Sequence, residues 1–587
     1  MQPQIIQREI DFDYQKLLEQ SGISSRIAKI IAARPKHAHA IPQASFSPKL
    51  QYLTSPLGLK DIQKAVDRLI QAIDNQEIIG IETDHDCDGQ TAHAVIFSAL
   101  KDIFGVPEKN IRSYIGHRMK EGYGLSDAVC DRILQDQPRP SVLITADNGS
   151  ADELRIARLK AENMDVIVTD HHEVPLAGAP QSAYACLNPT REDCDFEDPY
   201  IAGCMVAWLF MAAVNQKLKL EKKIKPNVPS LGSLLDFVAV GTIADCVSLS
   251  RSINNRAVVQ AGLEKINQLS RPCWQAIKPL IKNPKITSSD CGFLIGPLLN
   301  SDGRLSDAFG SVSFLLSNSL EEAAPWAKVL HSQNETRKKI QKKMTEDAMQ
   351  LAKQQVDSGK VSIVLFLPEG HAGIHGISAS RIKDLFGRPV IIFSPKEGEL
   401  EIITGSARSI DEIHLKEILD QVAQKIPEIV LKHGGHKGAA GVGIKKSGLE
   451  IFANYFESEV LKKINIKNIG PKIWVDGCLE PEEINLNLLD QLQELEPFGR
   501  EFEAPLFQIQ AKVNSPRAVG DGSHLQCEMV LENGDVHKSI FFGGAVNQDL
   551  SRLAGQPVQA IIELTENYFR GRNLNLLIRH WELLGEK

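Results

Sequence analysis

The feature that most constrains this 587-residue chain is a set of short apolar runs that end in aspartate or histidine clusters. The four clusters are TDHDCDG (83–89), TADNGS (145–150), TDHH (169–172) and GTIADCVSL (241–249). From about residue 60 to 320 such runs alternate with helical patterns, which is typical of βαβ units. The sequence therefore predicts a parallel sheet in this region.

A shared metal centre would explain these clusters. The carboxyl ends of the strands in an open parallel sheet lie along one edge, so residues distant in sequence meet there. A buried carboxylate is unfavourable by several kcal/mol unless it is paired or bound to a cation. The clusters offer oxygen and nitrogen ligands, and the cysteines form no Cys-x-x-Cys pair. This ligand set favours Mn²⁺ or Mg²⁺ over structural zinc, with imidazole favouring Mn²⁺.

The first cluster holds three aspartates. We expect Asp86 and Asp88 to bind metal, with Asp84 nearby in a supporting role. The string also resembles the start of a calcium-binding loop. Such a loop needs Glu at its twelfth position, which is Val95 here, so that interpretation is excluded.

The remaining clusters complete the predicted centre. Adjacent histidines normally diverge, so one of His171 and His172 is predicted to ligate metal and the other to reach a substrate phosphate. Asp170 can orient an imidazole by accepting its hydrogen bond. Asp147 and Asp245 complete the ligand set, and Asp147 is suited to bridge two ions. Two ions about 3.5–4 Å apart assist phosphodiester hydrolysis by clamping the attacking and leaving oxygens.

Several basic residues are candidates for holding phosphate, because arginine makes bidentate contacts with it. They are Arg118, Arg304, Arg337 and Arg408. Each alone is more often an ordinary surface charge, but Gly and Ser neighbours favour an anion site at Arg304 and Arg408. In HGGHKGAAG (433–441), His436 can donate to a phosphate, although a turn with an incidental histidine is the alternative.

Changes in pattern along the chain predict five segments. Residues 1–55 are polar and irregular and are expected to form a peripheral arm. A catalytic α/β domain (56–320) and a long connecting helix (321–358) follow. The rest comprises a smaller α/β domain (359–467) and a domain of short strands (468–587) that indicates a small barrel.

Composition excludes some classes of protein. No apolar stretch reaches the roughly 18 residues that a membrane span needs, and the first residues do not resemble a signal peptide, so we expect a cytoplasmic chain without a membrane partner. The formal charge is −8. That value does not exclude a nucleic-acid partner, because bound divalent ions would offset about half a dozen aspartates.

Taken in order, these clusters resemble the DHH phosphoesterase superfamily, named after a triplet that is Asp170, His171 and His172 here. Within it the match is to the RecJ single-strand exonucleases. The linking strings that are similar to that family are EGYGLS (121–126), NNR (254–256), GPLLNSDGRL (296–305), HAGIHGISASRIK (371–383), GSARS (405–409), GGHKGAAG (434–441) and EPFGREFEAPLF (496–507).

The resemblance implies a fold and an activity. The fold is α/β, with a parallel-sheet DHH domain, a connecting helix, a smaller DHH-associated domain of the DHHA1 type and a C-terminal OB-type barrel. The activity is Mn²⁺- or Mg²⁺-dependent digestion of single-stranded DNA from the 5′ end to mononucleotides, in repair and recombination. A monomer is expected, with a single-strand-binding protein and a helicase as further partners.

The resemblance also assigns residues. The metal centre, with two ions, would comprise Asp84, Asp86, Asp88, Asp147, His171, His172 and Asp245. Phosphates near the 5′ end would be held by Arg304, Ser406, Arg408 and His436. In the barrel, stacking and basic residues for a single strand would come from Phe541, Phe542, Tyr568, Phe569, Arg570 and Arg572.

Two departures from the family pattern and two rival functions remain open. Many relatives have His where this chain has Glu82, which keeps an oxygen close to the metals in a supporting position. Many relatives also have the string Gly-Pro-Arg where this chain has Gly296, Pro297 and Leu298. One rival is a phosphodiesterase for short oligonucleotides or cyclic dinucleotides, which would not need residues 470–587. The other is a DNA-binding scaffold with an inactive metal site.

Overall fold

A computed structural model describes residues 2–117, 121–305, 309–396, 398–465, 469–546, 549–568 and 571–584, without the side chains of residues 304, 305 and 400. Four predicted DNA contacts therefore lie outside the described part of the chain. They are Arg118, Phe569, Arg570 and the side chain of Arg304.

A five-stranded parallel sheet forms the centre of the first domain, as predicted. Its strands, in spatial order, are Ile111–Ile115, Ile79–Thr83, Val142–Ala146, Asp165–Thr169 and Ala185–Leu187. The Ile79–Thr83 and Val142–Ala146 strands are buried at every position. Helices must therefore cover both faces, as is usual for a parallel sheet.

Three helices of this domain, Cys87–Ser98, Asp127–Gln135 and Glu153–Ala161, connect successive strands in βαβ fashion, and most of the others follow the last strand. The helices are Ile62–Asp74, Cys87–Ser98, Asp127–Gln135, Glu153–Ala161, Gly203–Leu220, Leu235–Ala244, Asn255–Asn267, Pro272–Ile277, Gly296–Leu305 and Phe309–Leu315. The Gly203–Leu220 and Leu235–Ala244 helices are apolar on most sides because they are packed inside the domain. No helix among the described residues is long and apolar enough to span a membrane.

The predicted connecting helix is present as Leu320–Asp357. Its first turn is capped by Ser319, whose hydroxyl accepts from the backbone N–H of Glu322 at 3.2 Å. Its buried face includes Leu330 on the side of the first domain and Met344 on the side of the second. The helix thus contributes to two hydrophobic cores and ties the two domains together.

The second α/β domain is a mixed five-stranded sheet covered by helices. Its strands, in spatial order, are Val430–Gly435, Ala439–Lys445, Glu399–Arg408, Val390–Lys396 and Ile363–Phe366. Only the last two of these strands pair in parallel, and the other neighbours are antiparallel. The helices are His375–Phe386, Leu415–Lys425 and Leu449–Lys463.

A closed barrel ends the chain, as predicted for an OB-type domain. Its strands, in the order of pairing, are Phe507–Val519, His524–Val530, Val536–Phe541, Asn573–Leu583 and Pro557–Asn567. Side chains alternate between the interior and solvent along the Phe507–Val519 and His524–Val530 strands. The fold class predicted from the sequence is confirmed.

The amino-terminal segment differs from the irregular arm that its composition suggested. It forms the strand Gln4–Gln7 and the helices Phe12–Gln20, Ser25–Ala32 and Pro42–Phe46. The strand pairs in parallel with Lys472–Val475, just before the barrel. The helices bury apolar side chains such as Leu18 and Ile30 in the main core, and their short length hid this spacing among Pro, His and Ser.

Candidate metal centre

The sheet edge brings three of the four acidic clusters together. The strands that end at Thr83, Ala146 and Thr169 are neighbours in the sheet. The backbone hydrogen bonds of the sheet extend one residue beyond these strand ends. The N–H of Asp84 donates to the carbonyl of Ala146 at 3.3 Å, and the N–H of Asp147 donates to the carbonyl of Thr169 at 2.9 Å. The side chains that follow the strands are therefore held at the same level of the sheet.

The carboxylate and imidazole atoms at this edge form three groups, in each of which all ligand atoms lie within 4.8 Å of one another. The groups share Asp147 and His171, so they form one continuous cluster. They are Asp84 with Asp86 and Asp147, Asp147 with His171 and His172, and Asp88 with His171 and Asp245.

His171 lies at the centre of the cluster. Its Nε2 atom is 3.2 Å from Asp147 Oδ1, 3.6 Å from Asp245 Oδ2 and 3.8 Å from Asp88 Oδ2. Asp245 comes from the C-terminal end of the Leu235–Ala244 helix, not from the sheet. Distant parts of the chain therefore place carboxylate and imidazole atoms near one point, and their role as metal ligands stays a prediction.

Two helix N-termini hold the aspartates of the first cluster. Asp86 is the N-cap of the Cys87–Ser98 helix, and its Oδ1 accepts from Asp88 N at 3.0 Å and Gly89 N at 3.2 Å. Asp88 accepts from the N–H groups of Gly203 at 2.6 Å and Cys204 at 3.0 Å, where another helix begins. The positive end of each helix dipole stabilises these carboxylates.

Close backbone approach at this edge requires glycine. A Cβ atom on Gly203 would lie 2.8 Å from Asp147 Oδ1, and one on Gly241 would lie 2.8 Å from Asp88 Oδ1. Asp147 itself has a φ of 62°, a left-handed conformation that is unusual for a residue with a side chain. Strain of this kind is concentrated at functional sites, where the surrounding structure maintains it.

Electrostatic repulsion at the cluster would be relieved by a bound cation. Burial, and then the charge of Asp88, raises the pKa of both Asp147 and Asp245 well above the usual range. Among the described residues, Asp84 Oδ1, Asp147 Oδ1 and His171 Nε2 are buried polar atoms that no hydrogen bond satisfies, although Asp84 Oδ1 lies 2.8 Å from His85 Nδ1 and Asp147 Oδ1 lies 3.2 Å from His171 Nε2. Buried polar atoms are normally satisfied, so these residues fit a site for hard divalent ions.

Asp170 organises the histidine loop. Its Oδ1 accepts from the backbone N–H of His171 at 2.8 Å and lies 2.8 Å from His172 Nδ1, while its Oδ2 accepts from Ser150 N at 3.0 Å. Although burial acts in the opposite direction, the bond from His172 lowers the pKa of Asp170, and Asp170 in turn raises the pKa of His172 to about 10. Asp170 thus fixes the orientation and charge of His172.

Glu82, one of the two departures from the family pattern, is fully buried in the Ile79–Thr83 strand. Burial, followed by the negative charge of Asp152, raises its pKa well above the usual range. It belongs to none of the three ligand groups found among the described residues. Burial therefore favours the neutral form of this acid, and its supporting position beside the metals stays a prediction. Leu298, the other departure, is buried in the Gly296–Leu305 helix.

The second α/β domain places His436 beside the cluster. The rings of His436 and His172 are stacked with centroids 5.8 Å apart, and His436 Nδ1 is 3.5 Å from Glu173 Oε2. Ser406 and Arg408 lie on the Glu399–Arg408 strand, next in the sheet to the Ala439–Lys445 strand that follows the HGGH turn. The cluster is therefore faced by both domains.

Other predicted contacts with DNA have partners within the protein. Arg337 is buried in the connecting helix, where its guanidinium donates to Asn334 at 2.9 Å and Gln341 at 2.8 Å. Arg572 forms ion pairs with Asp490 and, at 2.9 Å, with Glu566. In the barrel, Phe542 and Tyr568 are exposed, whereas Phe541 packs edge-on against Trp581 at 5.5 Å. These roles stay predictions.

Sequence reasoning assigned no role to two residues beside the cluster. His85 Nδ1 lies 2.8 Å from Asp84 Oδ1. The exposed Tyr123 has its hydroxyl 3.3 Å from His172 Nε2, and its ring is edge-on to both His172 and His85. Both lie within strings noted above, TDHDCDG and EGYGLS, so their proximity to the other motifs was the available signal.

Three family models match successive parts of the chain. They are the DHH family, N-terminal domain, over residues 78–242, the DHHA1 domain over residues 359–462 and the RecJ OB domain over residues 475–580. This order of modules defines the class: a DHH protein that carries an associated α/β domain and a barrel.

Relatives that are similar over nearly their whole length show which family within this class the chain belongs to. The chain is 33% identical over 549 residues to the single-stranded-DNA-specific exonuclease RecJ of Haemophilus influenzae, covering 92% of this chain and 93% of the relative. It is also 33% identical to RecJ of Escherichia coli, covering 89% and 90% of the two chains. The chain belongs to the RecJ family of single-stranded-DNA-specific exonucleases.

Solved structures support the fold. RecJ of Thermus thermophilus in complex with Mn²⁺ matches with a TM-score of 0.77 at 23% identity, covering 99% of this chain and 79% of that one. A structure described as exonuclease RecJ bound to manganese matches with a TM-score of 0.57 at 27% identity, covering 70% and 98%.

Proposed function

We propose that this protein is a Mn²⁺- or Mg²⁺-dependent exonuclease that degrades single-stranded DNA from the 5′ end to mononucleotides, acting in DNA repair and recombination. The observation that carries the proposal is the convergence of carboxylates on His171 at the sheet edge, in a chain that belongs to this family. Relatives with metal-bound structures support the use of a divalent ion.

The ligand assignment follows from the three overlapping groups. Asp84, Asp86 and Asp147 would hold one ion and Asp88, His171 and Asp245 a second, with Asp147 positioned to bridge them because it lies close to both groups. Bound divalent ions would supply the Lewis acidity that phosphodiester hydrolysis needs. The presence of two ions is part of the proposal.

His172 has a different proposed role. Its Nδ1 is fixed by Asp170, its Nε2 faces the Tyr123 hydroxyl, and its ring is stacked on that of His436. Asp170 raises the pKa of His172 to about 10, which keeps the imidazole positively charged at neutral pH. A charged imidazole beside the cluster can donate a strong hydrogen bond to a substrate phosphate.

The two α/β domains and the barrel bind different parts of the DNA strand. His436 approaches the cluster from the second domain, and Ser406 and Arg408 on the adjoining strand extend the phosphate contacts. The barrel carries exposed Phe542 and Tyr568, which suit stacking on bases without sequence preference. A phosphodiesterase for dinucleotides would not need the barrel, so its presence favours a long single strand as substrate.

The proposal is tested with single strands labelled at either end, incubated with Mn²⁺, Mg²⁺ or a chelator. We expect immediate release of labelled mononucleotide from the 5′-labelled strand, gradual shortening of the 3′-labelled strand, and no product with chelator. Preferential hydrolysis of a dinucleotide over a long strand would contradict the proposal, as would binding without hydrolysis under every metal condition. Monomeric state, and partnership with a single-strand-binding protein and a helicase, stay predictions from the sequence.

A further inference from the structure

A loop at the entrance to the barrel domain lies against the segment that carries Asp245. This loop, residues 496–502, folds back on itself through mutual backbone hydrogen bonds between Gly499 and Phe502 at 3.0 and 3.1 Å. Arg500 and Glu501 form its tip, and Glu501 has a left-handed φ of 62°. The loop is part of the string EPFGREFEAPLF (496–507), which is similar to the RecJ family, but the proposed function assigns it no role.

Three contacts fix the loop on the catalytic domain. The N–H of Leu249 donates to the carbonyl of Arg500 at 3.0 Å, and Arg251 pairs with Glu501 at 2.9 Å. The buried guanidinium of Arg256 stacks 3.9 Å from the centre of the Phe502 ring. The tip is thus held as firmly as a part of the catalytic domain itself.

The fixed loop places a cation next to the metal centre. The Arg500 side chain is exposed, and its NH1 donates to the carbonyl of Cys246 in a long contact of 3.4 Å. Cys246 follows Asp245 directly, and the charge of Arg500 acts on both residues. Within the described chain, Arg500 forms no ion pair of 4.0 Å or less, so most of its N–H donors face solvent.

The exposed N–H donors of a guanidinium beside the metal centre are available to bind an anion of the substrate. A DNA strand supplies such an anion at every nucleotide, and arginine binds phosphate through two parallel hydrogen bonds. We propose that Arg500 binds a backbone phosphate of the DNA strand next to the one being cleaved, on the Asp245 side of the metal centre. This inference rests on the proposed function and adds a positioning residue to it.

The test uses the full chain with Arg500→Gln, Arg500→Lys and a matched control, Arg158→Gln. Arg158 is a surface arginine near the C-terminal end of the Glu153–Ala161 helix, paired with Asp131. Because that helix runs back from the metal edge of the sheet, Arg158 lies toward the opposite edge. DNA affinity is measured against salt, and hydrolysis is measured on single-stranded DNA and on bis(p-nitrophenyl) phosphate, which has no neighbouring phosphate.

We expect Arg500→Gln to weaken DNA binding about tenfold at low salt and to reduce the slope of log affinity against log salt by about 0.7, the loss of one phosphate contact. Arg500→Lys should retain the slope, and Arg158→Gln should match wild type. Hydrolysis of bis(p-nitrophenyl) phosphate should be unchanged in all variants. Unaltered DNA binding in Arg500→Gln, or equal loss on both substrates, would overturn the inference, the second outcome indicating that Arg500 only supports Asp245.

Wild type provides the separate test of the function itself. If wild type hydrolyses no single-stranded DNA with Mn²⁺, the proposed exonuclease fails, whereas the salt slope of binding still reports on Arg500. If wild type is active and the Arg500→Gln slope equals that of wild type, only the inference about Arg500 fails.

Discussion

Asp147 combines three unusual properties in one residue. It is buried, its backbone is left-handed, and its carboxylate lies within reach of ligand atoms on both sides. Burial together with neighbouring carboxylates raises its pKa well above the usual range. An arrangement so unfavourable for the protein alone indicates that the free energy of cation binding maintains it.

Replacing Asp147 tests its proposed bridging role. We expect Asp147→Ala to lower kcat/KM on single-stranded DNA by at least about 1,000-fold, equivalent to about 4 kcal/mol of transition-state stabilisation. Circular dichroism should remain that of a folded chain. The control is Asp131→Ala on the surface, which should behave as wild type. A variant at Asp147 that retains wild-type hydrolysis would contradict the bridging role, whereas a wild type that binds DNA without hydrolysing it would support the inactive-site scaffold interpretation.

The buried His93 is expected to make the stability of the folded protein depend on pH. Burial lowers its pKa to about 3, and its Nε2 is 2.8 Å from the Ser113 hydroxyl. In the unfolded chain this histidine takes up a proton below about pH 6.5, whereas in the folded chain it stays neutral down to about pH 3. Its contribution to stability is therefore complete above about pH 6.5. The contribution is lost as the pH falls toward 3, by up to about 1.4 kcal/mol per pH unit.

Thermal unfolding of wild type and His93→Gln in chelator measures this effect. From pH 8 to pH 5 wild type should lose about 2 kcal/mol relative to the variant, because glutamine has no proton to take up. The difference in Tm between the two proteins should therefore change with pH. A difference that is constant over this range would show that His93 is not a buried neutral imidazole.

At the scale of elements, the start of the Gly203–Leu220 helix determines the shape of the metal centre. Its first N–H groups hold Asp88, while the missing side chain of Gly203 leaves space for Asp147. We expect Gly203→Ala to displace Asp147 and weaken Mn²⁺ binding about 10- to 100-fold, as outer residues of metal sites do when altered. Isothermal titration with Mn²⁺ measures this.

The matched control is Gly232→Ala, where the nearest atom to an added Cβ is a serine hydroxyl at 3.7 Å. This substitution should leave Mn²⁺ affinity at the wild-type value. Equal affinities in the Gly203 and Gly232 variants would mean that Asp147 accommodates the extra methyl group without loss of a ligand position.

The amino-terminal helices are joined to the entrance of the barrel by a buried ion pair. Arg34 contacts Asp476 through two hydrogen bonds, of 2.5 and 3.1 Å, with both side chains almost fully buried. We expect Arg34→Met to destabilise the chain by about 3–5 kcal/mol, because it removes the two hydrogen bonds of a buried carboxylate to its nearest cation and leaves only Arg8, at 3.8 Å. The double variant Arg34→Met, Asp476→Leu should recover much of the loss in Tm, and a double variant as unstable as the single one would contradict this.

Strand ends could be predicted from the sequence because the signal is local: an apolar run and then an aspartate. The exact geometry of TDHDCDG could not be predicted, because in an extended chain the side chains of its three aspartates would not all point to the same face. In the structure the helix begins at Asp86, so the chain turns within the motif and Asp84 joins Asp86 and Asp147 in one group. Arg500 and Tyr123 lie in strings that the sequence singled out, but their positions beside the cluster depend on tertiary packing between distant segments, which one sequence does not specify.

For the whole molecule, the charges that face the DNA predict a salt dependence. Each phosphate neutralised on a single strand contributes a slope of about −0.7 to log affinity against log salt. With several basic contacts distributed over two α/β domains and the barrel, we expect a slope of about −2 to −4 for wild type. Fluorescence anisotropy with a labelled single strand, in chelator to prevent hydrolysis, measures it, and an affinity independent of salt would exclude an electrostatic groove.

The parallel pairing of Gln4–Gln7 with Lys472–Val475 joins positions separated by almost the entire chain. On a ribosome that adds about 5–20 residues per second, the first strand waits roughly 20–90 seconds for its partner to be synthesised. During that interval its hydrogen-bonding edge is open to other chains. The interval is set by the residues between the two strands, so a tag fused at either terminus would leave it unchanged.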